Sequence, residues 1–243
     1  MHRRWRAVLL AAGALLIVVG IAGALFASHQ HAAPPSRAEA DKPTLLLLTS
    51  LPLVFPEEFG LKGGGSRALT ALRERYRVRP IAVADAASLR QGRLLFMAHA
   101  LAQPAEALVD LDAWVRGGGH VLLLADPRLE WESSRPLGDA LRPSPMFPDT
   151  GLLAHWGLRL VAPETPGPAE RHIGKRSVMT LSPGALSGKC AVSKDRLVAR
   201  CGIGKGEALI VADADFLNVE QLDGKGDENL DALLEALASV EPK

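Results

Sequence analysis

Four side chains in this sequence have the types to do acid–base or metal chemistry together: His99, Asp126, Asp213 and Asp215. Each stands at the end of an apolar run, in LLFMAHA, HVLLLADP and EALIVADADF, and Thr49 and Ser50 follow TLLLL in the same way. Carboxyls brought close together push one another's proton affinities apart and can divide acid and base roles, and with an imidazole they form a ligand set for a cation. The plainer alternative is that these are strand-end polar groups that cap loops. No HExxH, no GxSxG and no Cys/His ligand spacing supports a reaction, so the residues favour loop capping, with no catalytic, cofactor or metal assignment. His155 and His172 read as surface or packing histidines, and Trp114 and Trp156 as residues of helix faces turned to the core.

The elements that must hold those four residues follow from periodicity. TLLLLTSLPLVF (44–55), RPIAVAD (79–85), RLLFMAHA (93–100) and HVLLLADP (120–127) read as strands, and SRALTALRERY (66–76) and PAEALVDLDAWVR (104–116) as amphipathic helices. Later come a short helix GLLAHWG (151–157), mixed strands at 177–181 and around the cysteines, a core strand GEALIVADADFL (206–217) and a terminal helix DENLDALLEALASV (227–240). Strand–helix alternation predicts an α/β three-layer sandwich with a mostly parallel sheet, flavodoxin-like or related. In such sheets ligands bind beyond the carboxyl ends of the strands, where the four candidates lie.

Two glycine clusters could imitate a phosphate loop, which runs strand, glycines, helix. WVRGGGHVLLLADP (114–127) runs helix, glycines, strand, so Gly117 is expected as a left-handed helix cap and the triplet as a turn. FGLKGGGSRAL (59–69) has the right order and spacing, but Ser66-Arg67 stands where Lys-Ser/Thr is needed. Ser66 reads better as the N-cap of the next helix.

Residues 7–26, AVLLAAGALLIVVGIAGALF, carry no charge, and eleven of them are Leu, Ile, Val or Phe. As a helix the run is ~30 Å long, enough for a bilayer, with an insertion free energy of about −3 to −7 kcal/mol. Arg3, Arg4 and Arg6 keep residues 1–6 in the cytoplasm, so the rest is expected outside, on an uncleaved signal anchor, the alternative being a signal peptide cleaved near the small residue Ala27. Residues 27–43 are polar and rich in Pro and Ala and read as a tether, on which His29 and His31 are solvated. Residues 44–240 form the expected domain. Beyond those three arginines the chain holds 25 basic and 27 acidic side chains, and no basic patch suggests nucleic acid. Cys190 and Cys201 bracket a strand–turn–strand segment, so a hairpin predicts a disulfide between them, as an oxidising exterior allows.

LPLVFPEEFG, LLFMAHALAQPAEALVDLDAWVRGGGHVLLLADP and GIGKGEALIVADADFLN together resemble the GldG-type domain of gliding-motility and ABC-transport auxiliary proteins. That domain is similar to class I glutamine-amidotransferase-like sandwiches and to the intraflagellar-transport 52-like domain. The resemblance spans about residues 44–240. It implies an extracytoplasmic domain tethered to a bacterial inner membrane and working with an ABC-type permease or ATPase, or with envelope proteins, without established catalysis. Amidotransferases place a nucleophilic cysteine at a strand-to-helix elbow, and the matching position here is Ala100-Leu101. The expected function is a non-catalytic binding or scaffolding domain. The alternative is a hydrolase or carbohydrate-acting enzyme using the strand-end Asp and His residues.

Overall fold

The computed structural model describes residues 35–55, 65–222 and 226–242. The predicted anchor at 7–26, His29 and His31 lie outside the described residues, among which no helix is long and apolar enough to cross a membrane.

A seven-stranded sheet forms the centre, in the order β2 (Arg77–Pro80), β1 (Thr44–Thr49), β3 (Leu94–Ala98), β4 (His120–Leu124), β11 (Gly206–Val211), β10 (Val198–Ile203) and β9 (Ala191–Val192). The pairs from β2 through β11 are parallel, and β10 and β9 extend the sheet antiparallel. The fold is thus α/β with a large, mostly parallel sheet. Helices α1 (Arg67–Arg75), α2 (Ala86–Leu89), α3 (Ala105–Arg116), α4 (Leu152–His155) and α5 (Gly226–Val240) surround it. Between β4 and β11, β5 (Leu158–Val161) pairs with β8 (Ala185–Gly188), and β6 (Pro168–Ile173) with β7 (Arg176–Leu181), as antiparallel two-stranded ladders.

The continuous apolar runs exist because both faces of the sheet are covered. Register aligns Leu47, Phe96, Leu122 and Leu209 in one row across β1, β3, β4 and β11, packed in a core with Leu69 and Leu72 of α1 and Leu233 and Leu237 of α5. One residue back, Leu46, Leu95, Val121 and Ala208 point the other way and pack with Leu89 of α2 and with Leu111 and Val115 of α3.

Several boundaries differ from expectation. β2 spans Arg77–Pro80 rather than 79–85: it is a largely exposed edge strand, so its apolar signal is weak, and residues 81–84 instead lead to Asp85, whose carboxyl caps Ser88 N at 2.7 Å. β1 stops at Thr49, whose hydroxyl accepts from Leu51 N and turns the chain. β11 stops at Val211, short of the predicted 217. Gly117 keeps a helical φ of −75°, and Gly118 is the left-handed residue at φ 111°. Gly119 has a separate reason to be glycine: the Trp114 ring lies where a Cβ would sit, 2.3 Å from its Cε3. Ser66 is the N-cap, its Oγ accepting from Leu69 N at 3.1 Å. Residues 35–43, expected in the tether, join the folded body. Arg37 pairs with Glu241 at 3.0 Å and lies 5.3 Å over the Tyr76 ring.

Cys190 and Cys201 are disulfide-bonded with a Cα separation of 4.9 Å, joining β10 to the start of the short β9. Closing so small a loop restricts the unfolded chain by about 2–3 kcal/mol. Replacing both cysteines by alanine should lower the unfolding free energy by about that amount, read as a shift in urea midpoint by circular dichroism.

Candidate functional site

Parallel pairing of β4 and β11 puts Val211 beside Leu124, so the next turns of both strands carry their aspartates to one place. Asp126 precedes Pro127 and makes a turn typical of Asx-Pro: Oδ1 accepts from Arg128 N at 2.8 Å. Its Oδ2 accepts from Ala214 N at 2.8 Å, tying the β4 loop to the β11 loop. Asp213 Oδ1 accepts from Thr180 Oγ1 at 2.5 Å and from Phe216 N at 3.1 Å. Both oxygens of Asp215 accept from Glu130 N, at 3.1 and 2.9 Å. One carboxylate oxygen from each aspartate lies within 4.8 Å of the others, and the three residues are 0%, 0% and 2% exposed.

Burial dominates their proton affinities. It pushes Asp126 up to about 6 against the opposing pull of backbone N–H groups. It pushes Asp215 to about 8, with the neighbouring Asp126 charge adding to it. Asp213 is raised well above the ordinary carboxyl range by the same two causes.

His99 does not join this group. It is fully buried with φ 48°, its Nε2 donating to the Ser144 carbonyl at 2.9 Å and its ring edge-on to Phe147 at 6.3 Å. That bond leaves Nδ1 as the bare nitrogen, and burial lowers the imidazole's affinity for a second proton. Its backbone N donates to Leu124 O at 3.0 Å, and Ser50 Oγ donates to its carbonyl at 2.5 Å. Thr49 Oγ1 donates to Ala98 O at 2.8 Å. The predicted site residues thus fall into two sets: three converging carboxyls, and a β1–β3 strand-end network around His99.

Sequence reasoning missed the groups that complete the carboxyl set. Thr180 comes from β7, and Glu130, which donates to Asp215, in turn accepts from Ser182 Oγ and from Arg128 Nε at 3.1 Å. Asn229 of α5, 1% exposed, donates to Met179 O and to Phe216 O, both at 2.8 Å, and accepts from Met179 N at 3.0 Å. Its one legible signal is an amide on the apolar stripe of a helix.

Two clefts open at this end of the sheet. One of about 830 Å³ is lined by Pro52, Ser66, Trp131, Arg142 and Asn218 among others. Another of about 520 Å³ is lined by Thr49, Ser50, Phe55, Leu101 and Leu141 among others. Neither is lined by His99 or the three aspartates. His155 and His172 are surface residues, as expected, beside Asp112 and Asp195.

No protein-family model and no curated protein matches the chain. Solved structures do. The mmIFT52 N-terminal domain aligns at 14% identity and TM-score 0.51, covering 82% of this chain and all of that one. The cytoplasmic protein STM3548 from Salmonella typhimurium aligns at 12% and 0.51 with the same coverage. The exo-β-1,4-mannosidase Op5Man5 from Opitutaceae bacterium strain TAV5 aligns at 13% and 0.50 over 81% of this chain, which spans only 36% of the mannosidase. At such identities the likeness is one of fold.

Proposed function

We propose that this chain is a membrane-anchored, non-catalytic binding or scaffolding domain, of GldG type and amidotransferase-like, that works outside the cytoplasmic membrane with an ABC-type or envelope complex. The observation that carries this reading is where the reactive groups sit. Each of the three aspartates is engaged as a buried latch between loops, and neither of the two clefts described above is lined by them. The elbow position holds Ala100 and Leu101, without a thiol, and both cysteines are in the disulfide. Among the described residues His99 stands apart from the carboxyls and neither of the two clefts is lined by them, which speaks against a hydrolase or carbohydrate-acting site built from these four groups.

The disulfide favours an oxidising compartment. The strand-end face favours binding, because Phe55, Leu101 and Leu141 line its smaller cleft while 82%, 50% and 66% exposed. A photo-crosslinking residue at Phe55 or Leu141, introduced in cells and activated in intact membranes, is expected to yield an adduct with a permease, its ATPase or an envelope protein. The same probe at Val109, exposed on α3, should give none. No adduct at either strand-end position, or equal adducts at all three, would overturn the reading.

A further inference from the structure

We propose that Asp126, Asp213 and Asp215 together hold one divalent, oxygen-preferring cation beneath the β4 and β11 loops. The inference stands apart from the anchoring and partner reading, since it concerns only the folded body. One oxygen from each carboxyl lies within 4.8 Å of the others, a spacing that oxygens sharing a single ion at bond lengths of ~2.3–2.6 Å adopt. The hydrogen bonds described to these carboxyls come from backbone N–H groups and the Thr180 hydroxyl. The loop's own guanidinium, on Arg128, pairs with Glu130 instead.

A second observation points to a ligand independently of the clustering. Asp213 is fully buried, and while Oδ1 takes both of its hydrogen bonds, Oδ2 is buried with no partner among the described residues. A buried carboxylate oxygen without a partner costs free energy unless a cation or a proton meets it. Meanwhile the backbone donors on Arg128, Glu130, Ala214 and Phe216 fix the three carboxyls in place, so the ligand set is already assembled by the fold. The donors are all carboxylate oxygens, with neither nitrogen nor sulfur in the group, which selects calcium, magnesium or manganese over zinc or copper. Binding releases whatever protons the carboxyls carry, so affinity rises with pH.

The test uses the full chain, stripped with EDTA and dialysed, then titrated separately with calcium, magnesium and manganese chloride at pH 8. At least one cation is expected to bind with 1:1 stoichiometry by calorimetry and to raise the melting temperature by several degrees at 1 mM. Asp213→Asn keeps an oxygen toward Thr180 and Phe216 N but removes the charge. It should weaken binding at least tenfold while leaving the EDTA-treated protein as stable as the parent or more so. A merely structural role for Asp213 would not give those opposite signs. Absence of binding and of any thermal shift in the parent chain with all three cations at 10 mM overturns the proposal, as does undiminished affinity in the folded variant. Should the variant fail to fold, Asp215→Asn takes its place, with the same loss of binding expected and undiminished affinity overturning the proposal.

Discussion

Asp126→Ala is expected to lower the unfolding free energy by about 2–5 kcal/mol when measured with chelator present. The carboxyl accepts from two backbone donors on different loops, Arg128 N and Ala214 N, each at 2.8 Å, and is itself fully buried. Alanine leaves both donors without a partner, at about 1–3 kcal/mol for each that stays dry. Relief of the repulsion on Asp213 and Asp215 returns part of that, so the net falls inside the stated range. Asp126→Asn should cost roughly half as much, because an amide offers one oxygen but turns its NH2 toward the second donor. Urea unfolding followed by circular dichroism at pH 7 reads both variants. A loss under about 0.5 kcal/mol for Asp126→Ala would mean the two loops are not tied through this carboxyl.

The second large effect is on the pH dependence of stability. Asp126 titrates near 6 and Asp215 near 8 in the fold, and Asp213 is also raised, whereas an unfolded aspartate titrates near ~3.9. The folded chain therefore binds more protons than the unfolded chain between those values. Their stabilisation is fully present below about pH 4 and is lost as pH rises through 6 and then 8. Asp215 alone keeps its proton in the fold across roughly three pH units, from pH 5 to 8, where an unfolded aspartate has lost it, at about 1.4 kcal/mol per unit, so the EDTA-treated protein should lose at least about 3 kcal/mol between pH 5 and pH 9. Glu130, next to the group, is lowered by its bonds to Ser182 and Arg128 and acts in the opposite sense, only in acid. His99, lowered by burial, adds stability as pH rises through the unfolded imidazole value, opposing the loss at the acid end of the range, and contributes little above pH 7. Urea midpoints across that range check the slope. Asp215→Asn should flatten it, a bound divalent cation should abolish it, and a midpoint that rises toward pH 9 would contradict the assignment.

Much of the frame was legible because strands buried on both faces announce themselves. Residues 45–48 of β1 and 121–124 of β4 are all leucine or valine, with no polar side to interrupt the run. The same runs end where chemistry-bearing residues begin, which is why Asp126, Asp213 and Asp215 could be named from periodicity alone. Their meeting point could not. It depends on β4 pairing with β11 across the excursion from 125 to 205, and no local pattern encodes a pairing at that separation. His99 shares their strand-end position but not their neighbourhood, because β3 lies on the far side of β4 from β11. Thr180 lies in the stretch 177–181 that reads as a strand, but nothing local tells which carboxyl its hydroxyl meets, and Glu130 was hidden in the irregular loop after β4. The edge strand β2 escapes for the converse reason: RVRP is largely exposed, and the more apolar IAVA beside it is not a strand.

The most direct test of the anchored, extracytoplasmic reading is thiol labelling of the full chain in intact cells, followed by fractionation. The expected result is a carbonate-resistant membrane pellet containing the chain, with Cys190 and Cys201 unreactive to maleimide until a reductant is added. A chain recovered in the soluble fraction, with both thiols labelled in the absence of reductant, would contradict it.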